Sequence, residues 1–389
     1  MITTLHGIDP NTPVARLCAA YDDRFAAARD WQSNGGKVVG YVSTAVPAEL
    51  IAAAGMFPLL ITGDTHRTPT LASEWMEEQF DPAAQSIFDS ALAGELAFLD
   101  LLIVPRVADS FVRLYLYLRE VERLGIAKRL PQIVLFDLLQ THHFSSANYN
   151  RERFSLLRQT LGNISGKPIL DDHLRAAIAA ANTAKRVTSE LIDWRREERI
   201  AGSLAQRLLG ARYFLETRDY ASLLRQTLRA GVPQPQRGLP RIVIAGNAQE
   251  SVELHELCEA RGFAIVGDYH WLGEPTLRAV STADDPAFAL VDHYHYDVLT
   301  SRRFPHRPDE IVQFARAARA DGVIIYLYEQ EEALTWDAPH QVRALEHAGI
   351  AALVLDNQPY RPTASKALLA SLASFGSRLR VQSEDGGNA

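Results

Sequence analysis

Two stretches of the chain, residues 36–136 and 241–355, alternate short apolar runs with helical patterns, and this alternation constrains the fold more than any other feature of the 389 residues. In the first stretch Lys37-Val38-Val39-Gly40-Tyr41 reads as a strand. Pro47 then enters a helix that passes through Glu49, Leu50 and Ile51 and stops at Gly55. Leu99 to Val104 and Gln132 to Phe136 are further buried-strand runs, separated by an amphipathic stretch from Ser110 to Leu124. In the second stretch the strand runs are Ile242 to Ala245, Ala264 to Gly267, Gly322 to Leu327 and Ala351 to Leu355. Strands that alternate with helices pair in parallel, because each helix carries the chain back to the edge where the last strand began.

Between the two stretches the texture changes to long charged helices, among them Asp171 to Arg199, with Leu174, Ala177, Ile178 and Ala181 at helical spacing. The Pro- and Gly-rich run from Gly231 to Gly238 suits a boundary. The expected organisation is an N-terminal helical segment (1–35), a first α/β lobe (36–150), a helical linker region (151–237), a second α/β lobe (238–380) and a disordered tail (381–389). Parallel sheets bind ligands at the carboxyl ends of their strands. The loops near residues 42–47, 105–110, 246–250, 268–273 and 328–336 are therefore expected to face a common cleft.

With 47% hydrophobic and 22% charged residues the chain has material for packed cores, and its net charge of −7 gives no footprint for nucleic acid. No apolar run reaches the roughly 20 residues of a membrane span, and Met1 to Pro10 lack a signal pattern, so a cytoplasmic location with no membrane partner is expected. Only Cys18 and Cys258 are present, too few for a disulfide framework, a zinc site or a cluster held by this chain's thiolates alone. Cys258 falls on a helical stripe, where a buried inert thiol is expected.

No G-x-G-x-x-G, G-x-S-x-G, H-E-x-x-H or P-loop pattern occurs, so nicotinamide, serine-hydrolase, zincin and NTPase readings have no support. Gly246-Asn247-Ala248-Gln249-Glu250-Ser251 follows a strand and is read as opening a helix; it is either a plain turn or an anion-holding one. His293 and His295, in Asp292-His293-Tyr294-His295-Tyr296-Asp297, would share a face only in an extended segment, and a structural role is the simpler reading. The pair His142-His143 is similar, a structural pair or a cleft-edge acid/base. Ser43, between strand and helix, either caps that helix or faces a ligand, and Thr44 follows it.

The run Gly40-Tyr41-Val42-Ser43-Thr44-Ala45-Val46-Pro47-Ala48-Glu49-Leu50 with Ala53-Ala54-Gly55 and Pro58 resembles the opening block of the 2-hydroxyacyl-CoA dehydratase and benzoyl-CoA reductase subunits. Leu174 to Asn182 is similar to that family's central helix. Arg241 to Asp268 looks like its second-lobe entry, and Ala320 to Ile325 with Leu345 to Ile350 like its closing strands, so the resemblance covers residues 36–380. It implies an α/β fold of two Rossmann-like (flavodoxin-like) parallel-sheet lobes with a helical segment between them. It also implies two homologous subunits, each holding an iron-sulfur cluster through three cysteines, and a CoA thioester as ligand. Here the cysteine positions fall on Asp81, on Ala108 before Asp109-Ser110, and near Glu331 in Glu329-Gln330-Glu331-Glu332. None is a thiolate, so no iron-sulfur cluster is expected.

Three readings follow from this resemblance. The chain is a subunit that contributes half of an acyl-CoA cleft, paired with a homologous dehydratase-family subunit as a heteromer, or with itself as a homodimer. Alternatively it is a redox-neutral acyl-CoA hydratase or dehydratase, with Asp81 or Glu331 as general base and Ser43 orienting the thioester carbonyl. The third is a non-catalytic acyl-CoA-binding protein. The expected binding residues are Thr44, Asp109, Ser110, Gly246, Asn247 and Gln330, with no metal ligands. Trp75, Tyr115, Tyr117, Tyr269 and Trp271 are read as either core residues or the lining of a pocket for an aromatic acyl group.

Overall fold

The structure, a computed structural model, describes residues 9–77, 79–127, 129–141, 143–282, 285–298, 307–329 and 331–386. It opens with helices α1 (Pro13–Asp22) and α2 (Ala26–Ser33). The first lobe then runs β1 (Val38–Tyr41), α3 (Ala48–Ala53), β2 (Phe57–Leu60), α4 (Pro82–Leu92), β3 (Leu101–Pro105), α5 (Asp109–Arg123) and β4 (Gln132–Phe136). Four helices follow, α6 (Phe144–Ser165), α7 (Asp171–Arg196), α8 (Gly202–Gly210) and α9 (Thr217–Ala230). The second lobe begins β5 (Arg241–Gly246), α10 (Glu253–Ala260), β6 (Ala264–Tyr269), α11 (Pro286–Asp292) and α12 (Arg307–Ala317). It closes with β7 (Gly322–Tyr328), α13 (Ala333–His347), β8 (Ala351–Gln358) and α14 (Lys366–Gly386).

Both sheets are wholly parallel, ordered β2-β1-β3-β4 and β6-β5-β7-β8, so the second lobe repeats the first strand for strand. The chain therefore has the two Rossmann-like lobes expected of it. In each lobe the strand order reverses beside the first strand, between β1 and β3 and between β5 and β7, and the loops leaving these strands diverge there to form a crevice.

The sequence pattern did not reveal β2, because Phe57-Pro58-Leu59-Leu60 carries a proline. The strand tolerates it at the sheet edge: Phe57 and Ile61 donate their N–H groups to β1, at 2.9 and 2.8 Å, which turns the Pro58 nitrogen away from the ladder. The helical region starts at Phe144, before residue 151. At the other end α14 continues past Val381 to Gly386, where a disordered tail was expected; no proline interrupts the polar residues in between.

The second sheet is covered on both faces. Ile242, Ile244, Ile324 and Tyr326 pack with Phe263 and the α14 residues Leu372 and Phe375, while Val243, Ala245, Val323 and Ile325 pack with Ile311 and Leu345. The first lobe's core extends through Phe154, Leu174 and Ile178 of the helical region to Ala248, Val252 and Leu272 of the second lobe. The lobes thus share one continuous apolar interface. A separate cluster joins α1 to α7, α8 and α9 around Leu17, Cys18, Leu191, Leu208 and Leu224.

Candidate functional site

The loops that leave the strands at their carboxyl ends meet between the lobes. The Thr44 hydroxyl donates to the Trp271 carbonyl at 3.0 Å, tying the loop after β1 to the loop after β6. Arg24, between α1 and α2, donates to the carbonyls of Gly63, after β2, at 3.1 Å and of Glu250, after β5. Ser43 is buried, and its Oγ accepts from the Ala45 N–H at 3.3 Å in a local turn. It does not cap α3, whose cap position is Pro47.

Three carboxylates lie around one buried tyrosine, Tyr328 at the end of β7; Glu250, Asp81 and Glu331 are all close enough to push its hydroxyl pKa up, after burial itself. Asp81 is the N-cap of α4. Its Oδ1 accepts from the N–H groups of Ala83 and Ala84 at 2.9 and 3.1 Å, and its Oδ2 from the Ser110 hydroxyl at 2.9 Å, which joins the starts of α4 and α5. Glu331, just before α13, accepts from the Leu334 N–H of its first turn at 2.9 Å and from Asn247 Nδ2 at 2.7 Å. Asn247 Oδ1 accepts from the Tyr328 N–H at 2.9 Å, so Asn247 and Glu331 stitch the crevice between β5 and β7.

Glu250 is the buried one of the three. It is 5% exposed, its carboxylate accepts from the Tyr360 hydroxyl, and no cation reaches its carboxylate oxygens among the described residues. Burial pushes its carboxyl up to about 7, with the Asp81 charge adding to the shift and Tyr360 and Arg24 opposing it. A Cβ built on Gly63 would lie 2.9 Å from Glu250 Oε2 and 3.0 Å from Ala83 Cα, so the first lobe approaches this carboxylate as bare backbone.

Gly246 has φ +99° and leaves no room for a side chain, since a Cβ there would lie 2.3 Å from the Tyr326 carbonyl oxygen. The loop after it stays irregular as far as Val252, and α10 begins only at Glu253. Residues 246–251 are therefore not the helix start read from the sequence; the positive φ of Gly246 sends the chain across the sheet edge, and Gln249, Glu250 and Ser251 are buried behind it. Gly246→Ala is expected to destabilise the protein by about 1–3 kcal/mol through backbone strain and this contact, read as a lower urea midpoint.

Two ionic networks attach α7 to the lobes. On the first-lobe side Lys185 Nζ lies 3.1 Å from Glu49 Oε1, and the Tyr294 hydroxyl donates to Glu49 Oε2 at 2.6 Å. Burial pushes the Glu49 carboxyl up, but Lys185 and Tyr294 outweigh it and hold the group at about 2. On the second-lobe side the wholly buried Arg195 donates to Asp268 and Glu274, Arg196 holds the other Glu274 oxygen at 2.8 Å, and His255 Nε2 lies 2.9 Å from Asp268. Burial opposes ionisation of Asp268, yet His255 and Arg195 drive its pKa well below the usual carboxylate range.

The remaining sequence-derived candidates separate. Asp109 opens α5 and is exposed, and Ala108 stands at the N-cap of that helix. Gln330 and His142 lie outside the described residues. His293 and His295 occupy a wide π-helical turn, not an extended segment: His293 Nδ1 is 3.3 Å from Asp297, and His295 Nε2 is 2.9 Å from the Thr141 carbonyl. Trp75, Tyr115, Tyr117 and Trp271 pack against the first-lobe core, and Tyr269 stacks with Phe314 at 5.2 Å. Tyr269 belongs to a core cluster of the second sheet, apart from the other four aromatics. Both cysteines are buried away from the cleft; burial pushes the Cys18 thiol up to about 11 and raises Cys258 as well. Sequence reasoning named the Glu250 loop but not Glu250, and missed Lys185 and Arg195, two charges among many on a long helix, and Asp268, whose only signal was a charge at the end of an apolar run.

Two wholly parallel sheets whose carboxyl-end loops meet between the lobes define a two-lobed, Rossmann-like α/β protein. Residues 43–362 match the family model of the 2-hydroxyglutaryl-CoA dehydratase D-component, and the chain belongs to that family. It is similar to a benzoyl-CoA reductase subunit of Thauera aromatica, 27% identical over 331 residues that cover 80% of this chain and 83% of the relative. It is also similar to the (R)-phenyllactyl-CoA dehydratase beta subunit of Clostridium sporogenes, 22% identical with 84% and 87% covered. A third relative is the beta subunit of (R)-2-hydroxyglutaryl-CoA dehydratase of Acidaminococcus fermentans, 23% identical with 61% and 63% covered. No helix among the described residues is long and apolar enough to cross a membrane.

Proposed function

We propose that this chain is a subunit of a 2-hydroxyacyl-CoA dehydratase-like complex, which contributes to an acyl-CoA cleft beside a homologous partner and holds no iron-sulfur cluster through its own side chains. The observation that carries the reading is the chemistry at the three positions where the family resemblance places cysteines. Asp81 accepts three hydrogen bonds as a helix cap, Ala108 has no donor atom, and Glu331 is engaged by Leu334 and Asn247. This set does not fit a thiolate-held cluster, since carboxylates are hard ligands and alanine is none. The names of the relatives, subunits of a reductase and of dehydratases acting on CoA thioesters, support the heteromeric assembly and the ligand class.

Glu250 favours a second reading, redox-neutral dehydration by carboxylates. A carboxyl group with a pKa near 7 holds a proton at neutral pH and can give it to a departing hydroxyl, while Asp81 or Glu331 takes the proton from the neighbouring carbon and Ser43 orients the thioester carbonyl. The C–O bond then breaks as water leaves, and no electron is required. Asp109, Ser110, Thr44, Gly246, Asn247 and Gln330 remain the proposed binding residues around that cleft.

The test is anaerobic purification of the chain, alone and with a co-encoded partner, followed by iron and sulfide analysis and titration with acyl-CoA compounds. The isolated chain is expected to carry neither iron nor sulfide, and the pair to bind thioester. Stoichiometric iron and sulfide on the isolated chain would overturn the cluster-free assignment. Turnover by the chain alone would select the second reading, and binding with no turnover under any pairing would leave a non-catalytic acyl-CoA-binding protein.

A further inference from the structure

Each sheet has two edge strands, and an edge presents backbone N–H and C=O groups that its own sheet leaves unpaired. Three of these edges are guarded. β2 carries Pro58, β6 is packed against α7, α8 and α10, and β4 is only five residues long. β8 is different. Its eight residues, Ala351–Gln358, include no proline, lysine or arginine, Asp356 is its one charge, and Val354 is 37% exposed.

The direction of its backbone groups follows from its first residue. The Ala351 N–H points inward, donating to the Asp321 carbonyl at the entry of β7 at 3.4 Å, and by the alternation of a strand Leu353 and Leu355 point inward too. Ala352, Val354 and Asp356 therefore turn their N–H and C=O groups outward. The Ala352 carbonyl accordingly accepts from Arg378 of α14 at 3.2 Å, and the Asp356 carbonyl from the Gln358 side chain at 2.7 Å. No side chain among the described residues covers the backbone groups of Val354, midway between them. The alternation ends at Asn357, where φ is +53°, and the Gln358 carbonyl turns back to accept from the Glu329 N–H at 2.9 Å.

We propose that a second copy of this chain pairs along β8, antiparallel and centred on Val354, so that the two second-lobe sheets join into one continuous sheet. A two-fold axis at this point sets Val354 against Val354 and Ala352 against Asp356 of the other copy. Each such pair exchanges two N–H···O bonds, about six in all. The register also matches in charge: the Ala352 end, where Arg378 sits, meets the Asp356 end of the other copy, so the charges that approach are opposite. The exposed Arg378 side chain yields the Ala352 carbonyl to the incoming N–H, and the two partly exposed Val354 side chains cover each other. A strand of this length runs about 26 Å and, with a helix layer on each face of the sheet, the flank is roughly 30 Å deep; that comes to about 800 Å² per copy, the area of a standard stable interface. The inference goes beyond the thioester reading and does not depend on it, because the pairing uses the side of the second sheet and none of the loops that meet between the lobes.

The test is the mass of the purified full chain in solution, by sedimentation and light scattering, with two variants at the two-fold axis. The chain is expected to be a dimer at about 1 µM and above, since interfaces of this size hold there. Val354→Lys sets like charges directly against each other and should weaken the dimer about tenfold or more, while the melting temperature stays close to the parent's because the position is exposed. Val354→Cys should form a disulfide-linked dimer on copper-catalysed air oxidation: residues paired in this way lie about 5.5 Å apart at Cα, within the span of a disulfide. Cys18 and Cys258 are buried, so the parent should give no crosslink. A monomeric parent, a dimer undiminished in Val354→Lys, or no crosslink in Val354→Cys would each overturn the proposal. None of these outcomes bears on the acyl-CoA reading, since no iron, sulfide or CoA compound enters the assay.

Discussion

Arg195→Met is expected to destabilise the protein by about 3–5 kcal/mol, the range for removing one partner of a buried ion pair. The side chains of Arg195 and Asp268 are 0% exposed and that of Glu274 is 5% exposed, so water cannot replace the lost guanidinium. Asp268 would keep His255, and Glu274 would keep Arg196 on one oxygen only. The penalty is that of uncompensated negative charge, not of lost attraction. The triple variant Arg195→Met, Asp268→Asn, Glu274→Gln should therefore recover much of the loss. Urea midpoints of the three proteins check both statements. A loss below about 1 kcal/mol in the single variant would show that solvent reaches the network, as it does for surface pairs.

Glu250→Gln should change the way stability depends on pH. The ordinary carboxyl value is 4.5, and burial raises it to about 7 in the folded protein. At pH below the ordinary value both folded and unfolded chains hold the proton, and the group costs nothing. As pH rises toward 7 the unfolded chain ionises while the folded protein keeps its proton, so stability falls; above 7 the loss is complete at about 3 kcal/mol. Glutamine keeps an oxygen for the Tyr360 hydroxyl and cannot ionise. The variant should therefore match the parent near pH 4.5 and exceed it increasingly up to about pH 8, as measured by urea midpoints across that range. A difference that stays flat with pH would mean that Glu250 titrates normally.

The lobes were readable in the sequence because their strands are short, continuous apolar runs, and a strand buried on both faces of a parallel sheet needs that composition. Val38 to Tyr41 and Gly322 to Leu327 have no polar interruption. The strand at Phe57–Leu60 was not readable, since Pro58 is compatible with a sheet only at an edge, and edge position is a tertiary fact. The site was legible in part. The loop at residues 246–250 and the acids Asp81 and Glu331 were singled out, and the structure sets Asp81 and Glu331 with Glu250 around Tyr328. What the pattern could not supply was burial. Glu250 and Asp81 look alike as letters in loops, yet Asp81 is a helix cap and Glu250 a buried carboxyl whose oxygens no cation reaches among the described residues, a difference made by tertiary packing. Lys185 and Arg195 look like ordinary charges on a long solvated helix; their partners Glu49 and Asp268 lie 136 and 73 residues away in the chain.

The two attachments of α7 have a consequence for how the molecule holds together. The helix is bonded to the first lobe through Lys185 and Glu49 and to the second through Arg195, and Asn182, a turn before Lys185, reaches the Val280 backbone by hydrogen bonds of 2.8 and 2.9 Å. Pulling either sheet away exposes charges that are matched only while all three bodies are assembled. The two lobes therefore share the electrostatic cost of being parted from one helix. A long helix that looks like a spacer in the sequence thus acts as a keel, to which both sheets are fastened by buried charge.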